Sequence, residues 1–444
     1  MRKRTRFIYN TALLTAWELL LRCVGCAFQV WLAGRIGAAG IGLYQLMGTA
    51  AGLAITFSLS GIGFGTLRLV SEQLGNGSTR GAYKAVRCCI VYALCFGFTG
   101  ALLLYRFAEP IAFLWIGDGR TVLPLEILAW EMPCIALSAV FSAYFTACGL
   151  VGRTTAVGVL QQTVTVLLTL AFLSAVPHGD VAQSCAAVTL AGTLSEALGC
   201  LVLAGVYEAH RITHPPQGEA AHGLFPRLLG ISLPLAISAY ARSGLSTLQH
   251  MLTPAGLRRF GLTANGALSV YGIVHGMTLT VIYFPTCVLQ VVARLLIPHL
   301  TQLQVQSQCT AVNRLCTRML HLAMVYSAAA AAGLFLLADL IAAGIYHTPE
   351  VAAYIRMFVP IVPMIFMDII VDGCLKGLGQ QLWSMGINIL ESAVSVVLTA
   401  LLVPMWGIKG FVAVVYFNEI FNFLLSFRRL QQTMHNCKTT APTV

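Results

Sequence analysis

Residues Trp17–Leu32 read WELLLRCVGCAFQVWL, an apolar stretch that carries three polar side chains, Glu18, Arg22 and Gln29. If the stretch is a helix, all three lie on one face, because their spacing is i, i+4 and i+11. Glu18 lies one turn before Arg22 and can form an ion pair with it. The segment therefore predicts an apolar helix with a single polar stripe.

The composition of the whole chain indicates where such a helix belongs. Of the 444 residues, 58% are hydrophobic and 10% are charged, whereas about a quarter of the residues of a soluble globular protein are charged. Apolar runs of about 20 residues, enough to cross a hydrocarbon core about 30 Å thick, recur along the whole chain. Lipid cannot satisfy backbone hydrogen bonds, so these runs must be helices. The sequence predicts an all-α polytopic membrane protein with about twelve transmembrane helices.

Within a membrane, the arginine of the first segment requires an explanation. An arginine at mid-span costs about 3 kcal/mol or more against lipid, and it is tolerated where it faces a water-filled cavity or a partner. Two interpretations remain open at this point. Arg22 is either a cavity residue or one half of an ion pair with Glu18 that locks helices together.

Positive charge predicts the orientation of the chain. Most of the 27 lysines and arginines fall at span ends and loops on one side, together with the N-terminal MRKRTR. Since such residues stay on the cytoplasmic side, we expect both termini to be cytoplasmic. The net charge of +11 follows from this bias, so contact with anionic lipids of the inner leaflet explains it and no nucleic-acid partner is expected.

The pattern of polar residues in the first span is repeated in the second half of the chain. Arg22 and Gln29 correspond at equal spacing to Arg242 and Gln249, and the same shift takes Glu18 to Ser238. A Pro-containing linker, residues 208–226, separates an N-terminal lobe (1–207) from a C-terminal lobe with a short cytoplasmic tail (227–444). Six spans in each lobe give both copies the same orientation, so we expect a pseudo-two-fold axis along the membrane normal.

Four segments resemble one known family. They are LLLRCVGCAFQVWLAGRIGAAGIGLYQLM (19–47), SGIGFGTLRLVSEQLGNG (60–77), GCLKGLGQ (373–380) and LTALLVPMWGIKG (398–410). The chain is similar over most of its length to the stage V sporulation protein B and polysaccharide-export family, within the multidrug, oligosaccharidyl-lipid and polysaccharide (MOP) exporters. This resemblance implies two six-helix bundles, as in multidrug and toxin extruders and the lipid II flippase, and a place in the bacterial cytoplasmic membrane. Several family members have fourteen spans, so a twelve-span chain departs from that pattern.

The resemblance also implies a substrate and residues that bind it. The family's cavity arginine falls on Arg22, and its Ser-Arg-Leu-Val-Ala-Glu pattern falls on Arg68 and Glu72, with Leu67 in place of serine. The repeat adds Arg294 as the counterpart of Arg68. The implied substrate is a polyprenyl-pyrophosphate-linked oligosaccharide or peptidoglycan precursor, moved by alternating access. Arginine suits its phosphates because the guanidinium binds phosphate oxygens bidentately. We expect the cavity to be lined by Glu18, Arg22, Gln29, Ser238, Arg242 and Gln249.

Acidic residues in two later spans are candidates for ion coupling. Asp368 and Asp372 share one face of the tenth span, and Glu391 lies in the eleventh. Intramembrane carboxylates commonly mark ion pathways, so the coupling ion is predicted to be H⁺ or Na⁺. Local ion pairing and hydrogen bonding are equally good explanations of these residues. No cofactor is expected. Membrane lipids are expected partners, with cell-envelope synthesis enzymes as further candidates.

Two rival functions remain. A multidrug antiporter of the same fold would export organic cations, and its cavity would be lined by carboxylates and aromatic residues. A transport-inactive scaffold for envelope synthesis would not depend on the arginines at all. Phosphate-binding loops and nucleophile motifs are absent from the sequence, so an enzyme is not predicted.

Overall fold

The computed structural model describes residues 2–176, 180–218, 223–305 and 308–439, and the regular elements in these ranges are all helical. The side chains of Glu18 and Arg22 lie outside the described residues. The α-helices are α1 (Arg2–Leu59), α2 (Ile62–Gly75), α3 (Thr79–Pro110), α4 (Val122–Ala129), α5 (Glu131–Ala147), α6 (Val151–Ala175), α7 (Val181–Thr213), α8 (Leu224–Arg259), α9 (Ala264–Tyr271), α10 (Leu279–Tyr283), α11 (Thr286–Val305), α12 (Cys309–Ile341), α13 (Glu350–Phe358), α14 (Val362–Gly377), α15 (Gln381–Trp406) and α16 (Ile408–Thr439). Three π-helical segments, Ile111–Ile116, Gly272–Thr278 and Ala342–Tyr346, continue α3, α9 and α12.

Helix α1 contains two spans separated by a kink. It has 58 residues, which would extend about 87 Å if straight, almost three times the thickness of the hydrocarbon core. Gly37 interrupts it with φ 73° and ψ 176°, a backbone conformation that favours glycine because it has no Cβ. In the described residues, 11 helical stretches are long and apolar enough to cross a membrane, and one of them, Ala27–Gly75, includes this kink. The predicted all-α membrane fold is confirmed, with a number of spans close to twelve.

The chain packs as two compact units. We call Leu43–Thr247 the N-unit, and Met1–Gly42 with Leu248–Val444 the C-unit. Both α1 and α8 are therefore divided between units. The lobes expected from the repeat, 1–207 and 227–444, have different boundaries from these units, because the lobes were defined by sequence similarity and the units are defined by packing. The repeat itself stays a prediction.

An aromatic core and a close helix contact hold the N-unit together. Tyr83, Tyr144 and Tyr207 are buried side by side, with ring centroids 5.0–6.3 Å apart. Helix α2 approaches α8 closely, because Gly61 and Gly65 expose backbone where any Cβ would meet Ser232 at 2.6 Å and 2.2 Å. Small residues spaced four apart commonly permit such contacts between membrane helices.

The connection between α7 and α8 is shorter than the linker predicted over 208–226, since α7 continues to Thr213 and α8 begins at Leu224. Its described part is bound to the start of α3. The Tyr83 hydroxyl donates to the carbonyl of His214 at 2.8 Å, and the backbone N–H of Gln217 donates to Thr79 Oγ1 at 2.7 Å. The connection is therefore anchored to the N-unit.

In the C-unit, α9 and the following π-helical segment lie directly against α1. A Cβ on Gly42 would meet the carbonyl oxygen of Leu268 at 2.2 Å, and one on Gly272 would meet that of Ala38 at 2.0 Å. No larger side chain fits at either glycine without moving the backbone. This contact fixes where the segment Gly272–Thr278 begins.

Candidate functional site

Helix α8 presents two different faces. Tyr240, Ser243 and Thr247 lie on the face that contacts the second part of α1, whereas Ser238 and Arg242 lie on the opposite face. Arg242 is exposed, and its guanidinium has no hydrogen bond or ion pair among the described residues. Ser238 is half-buried, and its hydroxyl donates to the Leu235 carbonyl of its own helix.

Hydrogen bonds across the contact face set the orientation of α8. Thr247 Oγ1 donates to the Thr49 carbonyl at 3.3 Å, and Thr56 Oγ1 donates to Ser243 Oγ at 3.2 Å. Tyr240 is hydrogen-bonded to the Ser60 hydroxyl. Because these contacts fix the rotation of α8 about its axis, they hold Arg242 away from the helix packed against it.

An apolar cavity of about 590 Å³ lies in the N-unit beside Tyr240. Its lining includes Phe57, Leu103, Phe107 and Trp115. The last three are partly exposed, at 42%, 50% and 48%, so the cavity opens to the protein surface. A cavity of this composition can accept a hydrocarbon chain.

Gln29 and Gln249, which correspond in the repeat, have different surroundings. Gln29 Nε2 donates to the Gly276 carbonyl at 3.1 Å and to Thr280 Oγ1 at 3.3 Å. Gln249 is half-buried, and its backbone carbonyl accepts a hydrogen bond from Thr253. Gln29 therefore attaches α1 to the π-helical segment, and its predicted place in a substrate cavity stays a prediction.

The predicted membrane-end motif forms a three-residue ion cluster in the N-unit. Glu72 binds Arg68 at 3.3 Å, one turn away in α2, and Arg227 of α8 at 3.0 Å. The sequence analysis did not predict Arg227, because the pattern of residues in α2 does not show that the start of α8 packs beside it. Arg294, the predicted counterpart of Arg68, is exposed on α11.

Two of the three acidic residues predicted for ion coupling lie together in the C-unit, with a third carboxylate that the prediction missed. Glu391 interacts electrostatically with Asp368, and Glu419 of α16 interacts with both. All three are half-buried. Asn422 Nδ2 donates to Asp368 Oδ2 at 3.3 Å, while Oδ1 of that carboxylate is buried without a partner among the described residues. The sequence signal for Glu419 was FNEIFNF (417–423), which places polar residues in the last apolar run.

Asp372 has different partners from the other carboxylates. Lys376, one turn later in α14, forms an ion pair with it at 2.5 Å, and the Ser384 hydroxyl donates to its other oxygen. Its negative charge is therefore balanced locally, which favours a structural role for Asp372.

Comparisons with known proteins agree with these features. Residues 15–175 match the MatE family model. The chain is 24% identical over 430 residues to stage V sporulation protein B of Bacillus subtilis (strain 168), covering 92% of this chain and 80% of that protein. A solved inward-facing MATE family multidrug resistance transporter of the MOP superfamily superposes with a TM-score of 0.74 at 14% identity, covering 95% of this chain and 96% of that one. A MOP superfamily transporter from Pyrococcus furiosus, described as having a binding pocket of reverse polarity, gives a TM-score of 0.66 at 15% identity, with 96% of each chain covered. The resemblance predicted from the sequence is confirmed.

Proposed function

Since the chain is a multi-pass membrane protein with the fold of the MATE transporters of the MOP superfamily, we propose that it is a flippase for a polyprenyl-pyrophosphate-linked sugar. It moves the sugar headgroup across the membrane by alternating access. The observation that carries this proposal is the exposed guanidinium of Arg242, which has no ion pair or hydrogen bond among the described residues.

Arg242 has the chemistry that a pyrophosphate requires. An unpaired charge in a membrane helix is costly, and such residues usually serve a substrate or ion pathway. The guanidinium remains charged and offers a planar fork of N–H donors to phosphate oxygens. The hydrogen bonds of Tyr240 and Thr247 hold α8 in one rotation, so the face of the helix that carries the arginine is fixed before substrate binds. The repeat assigns Arg22 the same role.

The apolar cavity supports a lipid-linked substrate rather than a free sugar. Tyr240 lines that cavity and lies two residues before Arg242 on the same helix. A hydrocarbon chain in the cavity would therefore lie against α8 on the face opposite to Arg242, and the phosphate headgroup would have to pass round the helix to reach the guanidinium. Apolar burial contributes about 0.8 kcal/mol for each CH₂ group, so even a short part of a polyprenyl chain adds affinity.

We assign ion coupling to Asp368, Glu391 and Glu419, with H⁺ or Na⁺ as the ion. Carboxylates close together in a membrane are stabilised by a bound cation, because their mutual repulsion then falls. The same carboxylates favour the main alternative, a multidrug antiporter in which they bind an organic cation.

A reconstituted transport assay separates the alternatives. Proteoliposomes would be offered lipid II, a second polyprenyl-pyrophosphate sugar and a cationic dye. We expect flipping of the lipid-linked sugars and at least a tenfold loss in Arg242→Gln. The matched control is Arg259→Gln, an exposed arginine at the end of the same helix, which we expect to flip at the wild-type rate.

Other results of this assay would contradict the proposal. Transport of the dye alone would establish the antiporter. If Arg242→Gln inserts normally and flips both sugars at the wild-type rate, the arginine does not bind substrate. No transport of any compound by the folded wild-type protein would favour the scaffold.

A further inference from the structure

Two histidines and a tyrosine form a cluster inside the C-unit, away from the carboxylates. His250 Nδ1 and the hydroxyl of Tyr271 are hydrogen-bonded at 3.0 Å. The ring centroid of His275 lies 4.8 Å from that of His250, 4.5 Å from that of Tyr271 and 4.9 Å from that of Phe411. Helix α8, the α9–π segment and α16 therefore meet at three titratable rings.

One atom of this cluster is left without a partner. His275 Nε2 is buried and makes no hydrogen bond within the described residues. An unsatisfied buried polar atom costs about 1–3 kcal/mol. Packing alone would be served better by phenylalanine at this position, since its ring has similar shape and needs no hydrogen bond. The presence of an imidazole therefore indicates that His275 Nε2 binds a ligand that is not among the side chains packed around it.

The backbone that carries His275 is held at both sides of the residue. Gly272 fixes the start of the π-helical segment against α1. Gln29 donates to the carbonyl of Gly276, directly after His275. π-Helical turns are rare, and they occur frequently at functional sites. The segment is thus positioned by its neighbours in addition to its own π-helical hydrogen bonds.

Each imidazole of the cluster is the other's neighbouring titratable ring, and their centroids are 4.8 Å apart. Helices α1, α8, α13 and α16 surround the cluster, and α13 packs directly against the π segment. In the C-unit, the other described titratable or charged side chains of these helices are Arg35, Arg258, Arg259, Glu350, Tyr354, Arg356, Lys409, Tyr416, Glu419, Arg428, Arg429 and His435.

We propose that the His250–Tyr271–His275 cluster is a proton-binding site that takes up a single proton on its imidazole pair. A hydronium ion transfers its proton to the free lone pair of one ring nitrogen, which leaves one water molecule and one imidazolium. The faces of Tyr271 and Phe411 lie within the distance at which aromatic rings attract a cation, about 6 Å. A second proton is excluded because two imidazolium rings at this separation would repel each other.

Proton binding at this site is linked to the packing of the segment. A buried charge is costly, so the protonated cluster favours an arrangement in which the π segment opens to water. Low pH therefore weakens the packing of residues 264–283. The inference goes beyond the proposed function, because it concerns a site distinct from the carboxylates and holds for any transported substrate.

Hydrogen exchange in lipid nanodiscs tests this linkage without a transport assay. Protection of residues 264–283 would be measured near pH 7.5 and near pH 5.5, corrected for intrinsic exchange rates. We expect wild-type protection to fall at least tenfold at the lower pH. His275→Phe and His250→Phe should retain protection at both values. The control His321→Phe removes an exposed histidine of α12 in the same unit and should respond to pH as the wild type does.

Two results would overturn the proposal. Wild-type protection that is equal at the two pH values excludes a linked proton site, and this comparison needs no variant. A drop at low pH that persists in both folded histidine variants places the titrating group elsewhere. If a phenylalanine variant fails to insert, the corresponding glutamine variant takes its place. A flippase that passes its transport assay could fail this test, so the two proposals fail independently.

Discussion

At the scale of single residues, Arg22 and Arg242 differ in the residue that lies one helical turn before each of them. Arg22 follows Glu18 by one helical turn, whereas Arg242 follows Ser238. A serine cannot neutralise a guanidinium, so the second copy has lost any local ion pair. If the ion pair were the reason for the arginine, Arg242 would have no reason to remain. This comparison favours a substrate role for both.

Substitutions at Glu18 and Arg22 separate the two explanations. Arg22→Gln alone strands a carboxylate in the membrane and should lower thermal stability. The double variant Glu18→Gln, Arg22→Gln should recover stability, yet flip a polyprenyl-pyrophosphate sugar at least tenfold more slowly than the wild type. Stability would be read from thermal unfolding and flipping from proteoliposomes. Normal flipping by the inserted double variant would identify a structural ion pair.

At the scale of helices, Gly37 separates two spans that are otherwise one continuous helix. The apolar runs of the sequence predicted both spans, but they could not place the kink, because α1 contains several other glycines. The conformation at Gly37, with φ 73°, is what distinguishes it. Glu419 and Arg227 were missed for a related reason. Their partners lie on other helices, and a sequence without helix packing does not pair them.

Alanine substitutions test the kink directly. Gly37→Ala places a Cβ in a left-handed conformation, and we expect it to lower the free energy of unfolding by about 1–2 kcal/mol. The matched control is Gly48→Ala in the same helix, where φ is helical and a Cβ would meet no atom within 4 Å. That change should be neutral or stabilise by up to about 1 kcal/mol. Equal melting temperatures for the two variants would contradict the strained conformation.

At the scale of the whole molecule, composition and charge predicted the membrane fold, and the fold comparison confirms it. The cause is physical: lipid cannot hydrogen-bond to the polar groups of the backbone, so few arrangements of an apolar segment are possible and hydropathy alone limits the fold. The division into units could not be predicted this way. Residues 1–42 pack with the end of the chain, and that pairing depends on long-range contacts that the hydropathy pattern does not specify.

The predicted orientation follows from the positive charges and is open to a direct test. Reporter fusions after Gln217 and after Leu262 should lie on opposite sides of the membrane, because α8 crosses it between them. We expect the fusion after Gln217 to be active as a cytoplasmic fluorescent protein and the fusion after Leu262 as an exported phosphatase. The same reporter active at both positions would overturn the topology.

The discontinuous C-unit imposes an order on biosynthesis. Residues 43–247 of the N-unit are contiguous, so they can assemble as soon as they leave the ribosome. Residues 1–42 are made first but must wait for their packing partners, which begin at Leu248 and end at Val444. From Gly42 to the end of the partner segment about 400 residues are added, and at about 5–20 residues per second that wait is roughly 20–80 s. During this time the first helix has none of its packing partners, so we expect the insertion machinery to shield Arg22 from lipid if that residue lies within the membrane.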